Sequence, residues 1–546
     1  MKKRITAPRE VLHELQQDYF ICTKCKVCQA VHVQFCPESR FWRNCPSGTR
    51  FRWDAYYASG KMELARGLHT KELAPNEVMR DILYACNLCS SCQEQCYEVK
   101  QLLPTRVFEL MREKAVAEGW GPMPEHKKLA ESLEKNDNPF GEHLYLAGSQ
   151  AWIAQYLAIY DRAKHVPEAS QIAEKIMNYN MFKMNYNEES GRFRFGGPGV
   201  GAGKIQGKCA HFHTHAMNIL GCLYVAMQTG NQKLLDRGLK AYEWGKSKSD
   251  NRVGFFPMVT YDEYVGAQTA ETCEVADMII AGLTLSKMGI DRWDDVDRWT
   301  RNQLAENQIT WNDWITDGHL DRSSVSLTLP KGEYTTENAA YRALGSFAGW
   351  PAPNDFVGSG DWGIGKDPIT LTVMNCCTGS GARALFAVWR DMLSFQNGEL
   401  RINLLLNRAS KWAEIGSYIP YSGRVDVKVK QPVNLSIRIP EWVIPEEVKV
   451  EVDGEARTVS FDGRYAQTGK VNKGQAVVMT FPISERTEKR TIEGFDYTFI
   501  IRGNDVVSVS PQGKYCPMYQ RGHYRTGKTL YNKVTRFISD EEYEWW

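Results

Sequence analysis

The sequence predicts a multidomain α+β chain: an α-helical cysteine-rich segment, then a helical domain, then an antiparallel β-sandwich. Three observations predict it. Nine of the fifteen cysteines lie between Cys22 and Cys96. Apolar residues recur at helical spacing from about residue 143. The hydrophobic period switches to two at about residue 399. The expected boundaries are 1–125, a linker at 126–142, 143–396 and 397–546. A chain of 546 residues is too long for a single core, so several domains are required.

The N-terminal segment takes its chemistry from two cysteine runs. One is Cys22-x2-Cys25-x2-Cys28, followed later by Cys45-Pro46. The other is Cys86-x2-Cys89-x2-Cys92-x3-Cys96. Three thiolates two residues apart can wrap the backbone around one cubane, and in two-cluster ferredoxins the fourth ligand comes from the partner run. That logic assigns Cys22, Cys25, Cys28 and Cys96 to one cluster. Cys86, Cys89, Cys92 and Cys45 go to the other. Cys36-Pro37 competes with Cys45-Pro46, and Cys45 is preferred. Cys-x2-Cys pairs also bind zinc, but two triplets suit two [4Fe–4S] clusters better. In a reducing compartment clustered cysteines read as ligands before disulfides.

Residues 20–100 resemble the ferredoxin domain of heterodisulfide-reductase-type and glycolate-oxidase-type iron–sulfur proteins. The stretches that carry the resemblance are Cys22-Thr-Lys-Cys25-Lys-Val-Cys28, Cys45-Pro46, Tyr57-Ala58-Ser59-Gly60-Lys61-Met62 with Ala65-Arg66-Gly67-Leu68, and Ile82-Leu83-Tyr84-Ala85-Cys86. The resemblance implies a two-cluster ferredoxin-like fold that passes electrons to a redox partner protein or subunit. Asn138-Pro139-Phe140-Gly141-Glu142 also resembles the segment leading into that group's next domain. The Cys-Cys-Gly motif of that domain is absent, because Cys376-Cys377 is followed by Thr378.

The middle region reads as paired helices, an α/α toroid or solenoid. Ser149 is expected to cap a helix whose apolar face is Trp152, Ile153, Tyr156, Leu157 and Tyr160. Further helices are expected near 167–180, 213–229, 232–246, 269–288, 292–308, 335–348 and 378–394. In the C-terminal region Val425, Val427 and Val429 alternate with polar residues. Leu435, Ile437 and Ile439 do the same, as do Val448, Val450 and Val452. Asp453-Gly454 and Asp462-Gly463 are turn signals.

Two short motifs in the helical region carry chemistry. Glu271-Thr272-Cys273 begins one apolar helix, and Asn375-Cys376-Cys377-Thr378-Gly379 begins another. If the two helix starts meet, a carboxylate and three thiolates converge, a set that binds zinc tetrahedrally. A thiolate freed from the metal can attack an electrophilic carbon. The bland alternative is a pair of buried small apolar cysteines and a carboxylate at a helix N-terminus.

Residues of about 143–530 resemble the β-L-arabinofuranosidase family of glycoside hydrolases. The match rests on Glu271-Thr272-Cys273, on Cys376-Cys377 with Arg383, on Arg438-Ile439-Pro440-Glu441-Trp442 and on Arg502-Gly503-Asn504. It implies an (α/α)6 toroid followed by β-sandwich domains. About eight helices are readable here against that family's twelve, so the toroid is expected to be partial. The resemblance further implies Glu271, Cys273, Cys376 and Cys377 as zinc ligands and Cys376 as nucleophile of a retaining cleavage of a furanoside. His213 and His215, in a segment resembling the family's substrate-binding histidines, are implied as substrate contacts. His211, His213 and His215 read as sugar-pocket and structural rings rather than a metal triad. Two positions depart from the family pattern. Ser380 replaces an asparagine, and Phe255 stands where the acid/base glutamate belongs. Glu263, or alternatively Asp262, is the expected substitute acid.

Gly196-Gly197-Pro198-Gly199-Val200-Gly201-Ala202-Gly203-Lys204 fails the phosphate-loop pattern and reads as an active-site or surface loop. A formal net charge of +2 offers no bulk attraction to nucleic acid. The charged first residues and the lack of a long apolar window lead to the expectation of a cytoplasmic protein without a membrane span. The leading functional reading is an iron–sulfur electron-transfer module fused to a zinc–thiolate glycosidase-like domain. The alternatives are an electron-transfer subunit with a degenerate, non-catalytic scaffold, and a fusion of two otherwise separate proteins.

Overall fold

A computed structural model of the chain describes residues 12–29, 44–137, 146–194, 209–261, 269–313, 339–358 and 373–526. The chain divides into two units, Met1–Gly141 and Glu142–Trp546.

The described part of the first unit is helical. It contains α1 (Gln16–Ile21), α2 (Pro46–Phe51), α3 (Ala58–His69), α4 (Glu77–Tyr84), α5 (Ser91–Lys100), α6 (Pro104–Ala117) and α7 (Pro124–Asn136). Proline opens α2, α6 and α7, where its missing N–H costs nothing and its fixed φ suits the first turn. Asn76 caps α4, its side chain accepting from Met79 N at 2.9 Å. Val107, Phe108, Leu110 and Met111 of α6 are buried with Leu15, Tyr19, Met62, Ala65 and Leu83 in a core that also takes in Cys28 and Cys92. Helix α7 runs through the stretch read as a linker and has no buried residue.

The second unit has a helical region and a β-sheet region. Its helices include α8 (Leu146–Lys164), α9 (Pro167–Asn178), α10 (Phe212–Thr229), α11 (Gln232–Ser247), α12 (Thr272–Lys287), α13 (Trp293–Trp299) and α14 (Asn375–Asp391). A two-stranded antiparallel pair, β1 (Cys209–His211) and β2 (Val259–Tyr261), leads into α10. Helix α12 is apolar nearly all round and is buried from Thr272 to Leu285, so it lies inside the helical region rather than on its face. Helix α8 starts at Leu146, which puts Ser149 inside its first turn rather than at its cap. Tyr156 and Tyr160 on the predicted apolar face of α8 are exposed.

From Leu393 the chain is mostly strand. One sheet has the order β10 (Glu455–Arg457), β9 (Lys449–Val452), β13 (Ala476–Thr480), β7 (Arg424–Val429), β6 (Ala413–Ser417), β5 (Arg408–Ala409); a second has β11 (Ser460–Asp462), β12 (Tyr465–Val471), β8 (Val433–Arg438), β4 (Glu399–Ile402), β3 (Leu393–Gln396); and a third has β14 (Glu485–Ile492), β15 (Phe495–Arg502), β16 (Asp505–Ser510). These strands run from β3 (Leu393–Gln396) to β16 (Asp505–Ser510). Strand β7 (Arg424–Val429) buries Val425, Val427 and Val429 and leaves Arg424 and Lys428 exposed, which is the period-two pattern of a strand with one covered face. Strand β4 (Glu399–Ile402) pairs parallel with β8 (Val433–Arg438), whereas its other neighbour, β3, is antiparallel. Residues 262–268, which include Asp262 and Glu263, fall outside the described residues. So do Cys36 and the glycine-rich stretch 196–204.

Candidate metal centres

In the second unit the two cysteine motifs come together. Both open a buried or half-buried helix, α12 and α14, with Glu271 at the N-cap of α12. One ligand atom from each of Glu271, Cys273, Cys376 and Cys377 lies within 4.8 Å of the others. The Cys273 and Cys377 sulfurs are 3.5 Å apart, and those of Cys376 and Cys377 are 3.9 Å apart. A tetrahedral zinc with Zn–S near 2.3 Å spaces its thiolates roughly 3.8 Å apart. The observed spacings bracket that value, so three sulfurs and one carboxylate oxygen form a donor set that fits zinc.

A short loop holds the two helix starts in register. Thr272 Oγ1 donates to Ala348 O at 2.6 Å, and Cys377 Sγ lies 3.6 Å from Gly349 O. Phe347 N donates to Thr378 Oγ1 at 3.2 Å. Gly381 faces the Phe347 ring so closely that a Cβ there would stand 2.6 Å from it. Asn307 Nδ2 donates to Thr272 Oγ1 at 3.0 Å, and Gln303 Nε2 donates to Asn307 Oδ1 at 2.9 Å. This segment was expected to lie in a helix near 335–348; residues 343–350 instead form turns and bridges.

Histidines surround the carboxylate. His211 Nε2 is 2.9 Å from Glu271 Oε2, and His213 Nδ1 is 3.4 Å from Glu271 Oε1. His213 Nε2 in turn lies 3.4 Å from Asp277 Oδ2, and Arg383 is paired with Asp277. Burial opposes ionisation of Glu271, but His213 and then His211 outweigh it and hold the carboxyl down to about 2. Burial likewise opposes charging His213, and the Glu271 and Asp277 carboxylates more than offset it, so its pKa is raised. The thiols differ in access. Cys273 and Cys377 are fully buried, whereas Cys376 is exposed. Hydrogen bonds from Cys273 and Cys377 hold the Cys376 thiol down to about 3.

His215 does not join this group. It is 1% exposed, with Nε2 3.0 Å from Ala241 O and Nδ1 2.8 Å from Asn187 Nδ2. The reason is helical geometry: residues two apart in α10 point about 200° apart, so His213 and His215 cannot face the same site. His211, just ahead of the helix, is the second ring at the carboxylate. Phe255 is 1% exposed and packs in a core with Phe499, Ile501 and Tyr519.

In the first unit the eight predicted thiols are free of disulfides. Cys96 is close enough to Cys28, Cys22 and Cys25 for their charges to oppose its ionisation. Cys92 feels Cys86, Cys28 and Cys45 in the same way. Burial first, and then these neighbours, push both Cys92 and Cys96 up to about 12. Crowded, buried thiols of this kind ionise when a cationic group is bound among them. The two Cys-x2-Cys-x2-Cys loops also share one backbone path. Lys24 and Leu88 both have φ of 55°, and Lys26 and Ser90 have φ of 68° and 62°. A left-handed conformation at matching non-glycine positions is costly for the chain. It winds each loop so that Cys25 and Cys89 stay exposed while Cys28 and Cys92 turn inward.

No family model and no curated protein matches the chain. Solved structures do. One described as a glycoside hydrolase is 12% identical, with a TM-score of 0.41, over 78% of this chain and 67% of that one. A GH127 beta-arabinofuranosidase is 14% identical, with a TM-score of 0.41, over 79% of this chain and 65% of that one. A GH127 beta-L-arabinofuranosidase from Geobacillus stearothermophilus T6 is 13% identical, with a TM-score of 0.40, over 90% and 84%. The chain thus spans about two thirds of the length of the first two. Among the described residues no helix is long and apolar enough to cross a membrane.

Proposed function

We propose that the second unit is a zinc–thiolate glycoside hydrolase-like domain, with a helical toroid-like part to about residue 396 and a β-sandwich from about 397. The observation that carries this reading is the convergence of Glu271, Cys273, Cys376 and Cys377 with a single exposed sulfur. Zinc bound there would keep the thiolates ionised at neutral pH. Glu271, Cys273, Cys376 and Cys377 would hold the metal. Cys376, the accessible thiol, would attack the anomeric carbon of a furanoside, forming an S–C bond as the C–O bond to the leaving group breaks. A protonated carboxyl would deliver a proton to the departing oxygen, and water would then displace the sulfur. Glu263, or Asp262, is our candidate for that carboxyl. His213 would contact the sugar.

We propose that residues 1–125 hold two [4Fe–4S] clusters and exchange electrons with a partner protein or subunit. The matched loop windings and the grouping of Cys96 with Cys22, Cys25 and Cys28 support this; Cys92 feels Cys86 and Cys45 of its own set and also Cys28 of the other. Cys89 completes the second set on spacing.

A second reading keeps the iron–sulfur module and treats the remainder as a non-catalytic scaffold. The buried Phe255 favours it, because a core phenylalanine occupies the place of an acid. Anaerobic purification followed by metal and sulfide analysis separates the two. About eight irons and one zinc, with cleavage of an aryl arabinofuranoside that Cys376→Ala abolishes, supports hydrolysis. About eight irons without zinc or cleavage supports the scaffold. A preparation without iron removes the electron-transfer module.

A further inference from the structure

Lys61 is the most unusual charge in the first unit. It lies on α3 and is 1% exposed. Its Nζ donates to Tyr56 O and lies 3.5 Å from Ser47 Oγ. The Phe108 ring centre is 5.8 Å away. Among the described residues no carboxylate pairs with it. A buried ammonium without a counter-ion is expensive, so such a group either sheds its proton or is kept charged by an anion close by.

The geometry indicates where that anion lies. Cys45 Sγ is 3.8 Å from the same Tyr56 carbonyl that accepts from Lys61, and it also receives Gly48 N at 3.3 Å. The thiols that act most strongly on Lys61 are Cys86, Cys45 and Cys92. Arg112 adds a second cation on the same side, donating to Leu83 O at 2.7 Å and to Cys86 O. Gly60 fixes the approach, since a Cβ there would stand 2.3 Å from Asp54 O. The other thiol group differs. Its nearest lysines in sequence, Lys24 and Lys26, have side chains 50% and 44% exposed and are tied to Glu63 at 2.8 Å and Asp54 at 2.6 Å. Water and those carboxylates screen their charge.

We propose that Lys61 sets an electrostatic gradient inside the module, raising the reduction potential of the cluster held by Cys45, Cys86, Cys89 and Cys92 above that of the cluster held by Cys22, Cys25, Cys28 and Cys96. This inference rests on the iron–sulfur reading above. A cluster gains one negative charge on reduction, and an unscreened buried cation favours the more negative state. An electron delivered by a one-electron carrier therefore comes to rest on the Lys61 side. If it enters at the other cluster, that cluster is reoxidised as this one is reduced. Lys61 acts through its field and is a positioning charge rather than a ligand.

The test is a redox titration of the full chain, monitored by electron paramagnetic resonance after iron and sulfide have been counted. Wild type should show two separate one-electron steps. Lys61→Met should lower the higher step by at least tenfold in its equilibrium constant, about 59 mV for one electron, and move the lower step less. Lys61→Arg should restore the wild-type separation, and Lys24→Met should leave both steps in place. Cys45→Ser should alter or remove the higher step. Two coincident steps in wild type, or a Cys45→Ser change confined to the lower step, would overturn the proposal even if Lys61→Met does not hold its clusters. A cluster-loaded Lys61→Met with unmoved midpoints would do the same. Wild type without iron would instead sink the underlying reading, and this one with it.

Discussion

Cys273 and Cys377 bring their sulfurs to 3.5 Å although 104 positions separate them in the chain. Both are fully buried, and Cys376 beside them is the accessible thiol of the three. Access should decide reactivity. In zinc-depleted protein, iodoacetamide should modify Cys376 at least about tenfold faster than Cys273 or Cys377. Added zinc should slow that modification. Peptide mapping by mass spectrometry reads both rates, and equal labelling of the three would contradict the arrangement.

His211 should matter for metal affinity although it is not in the four-donor set. It steadies Glu271 Oε2 at 2.9 Å, and partners of this kind typically cost roughly 10–100-fold in metal affinity when removed. His211→Ala should weaken zinc binding by that amount in a chelator competition. His215→Gln should leave zinc affinity unchanged.

Thr272 should be sensitive to loss of one oxygen. Thr272→Val keeps the shape but leaves Ala348 O and Asn307 Nδ2 without the hydroxyl that joins them in a buried site. An unsatisfied buried group costs about 1–3 kcal/mol. Denaturant unfolding of the variant should show a loss of that size or more. A change below about 0.5 kcal/mol would mean that these groups find other partners.

His215 should make the second unit acid-sensitive. Burial pushes its pKa down from 6.5 to about 3, with the Ala241 carbonyl acting weakly the other way. Between these values the unfolded chain binds a proton that the folded chain refuses. The contribution of this group is therefore complete above pH 6.5 and is lost as pH falls towards 3. By linkage the loss at pH 5 relative to pH 7 is about 2 kcal/mol. The stability of His215→Gln should fall less steeply over this range, and an identical slope would assign the acid sensitivity elsewhere.

Part of the site was readable in the sequence because its chemistry is uncommon. Two cysteine motifs, each opening an apolar helix in a chain with few other cysteines nearby, stand out against ordinary composition. The strands around Val425 to Val429 were readable because a half-covered sheet imposes its own period. His215 was misplaced because a motif was carried over as a block, when the helical repeat already separates positions 213 and 215 onto different faces. The role of residues 347–349 left no trace, because the hydrogen bonds they make to the two helix starts use backbone carbonyls and a backbone amide. Main-chain atoms are the same in every residue, so composition and periodicity cannot reveal them. Lys61 lies in a stretch that carries a family resemblance, but only burial distinguishes it from any surface lysine.

The Phe347–Gly349 loop touches both ligand-bearing helices at once. Neither helix start is thus positioned independently of the other. A disturbance at this loop, distant in sequence from every cysteine, would be felt on both halves of the donor set together. Vulnerability of the metal centre is accordingly shared with a stretch that supplies no ligand, and assembly of the centre waits on the packing of three segments spread over more than a hundred residues.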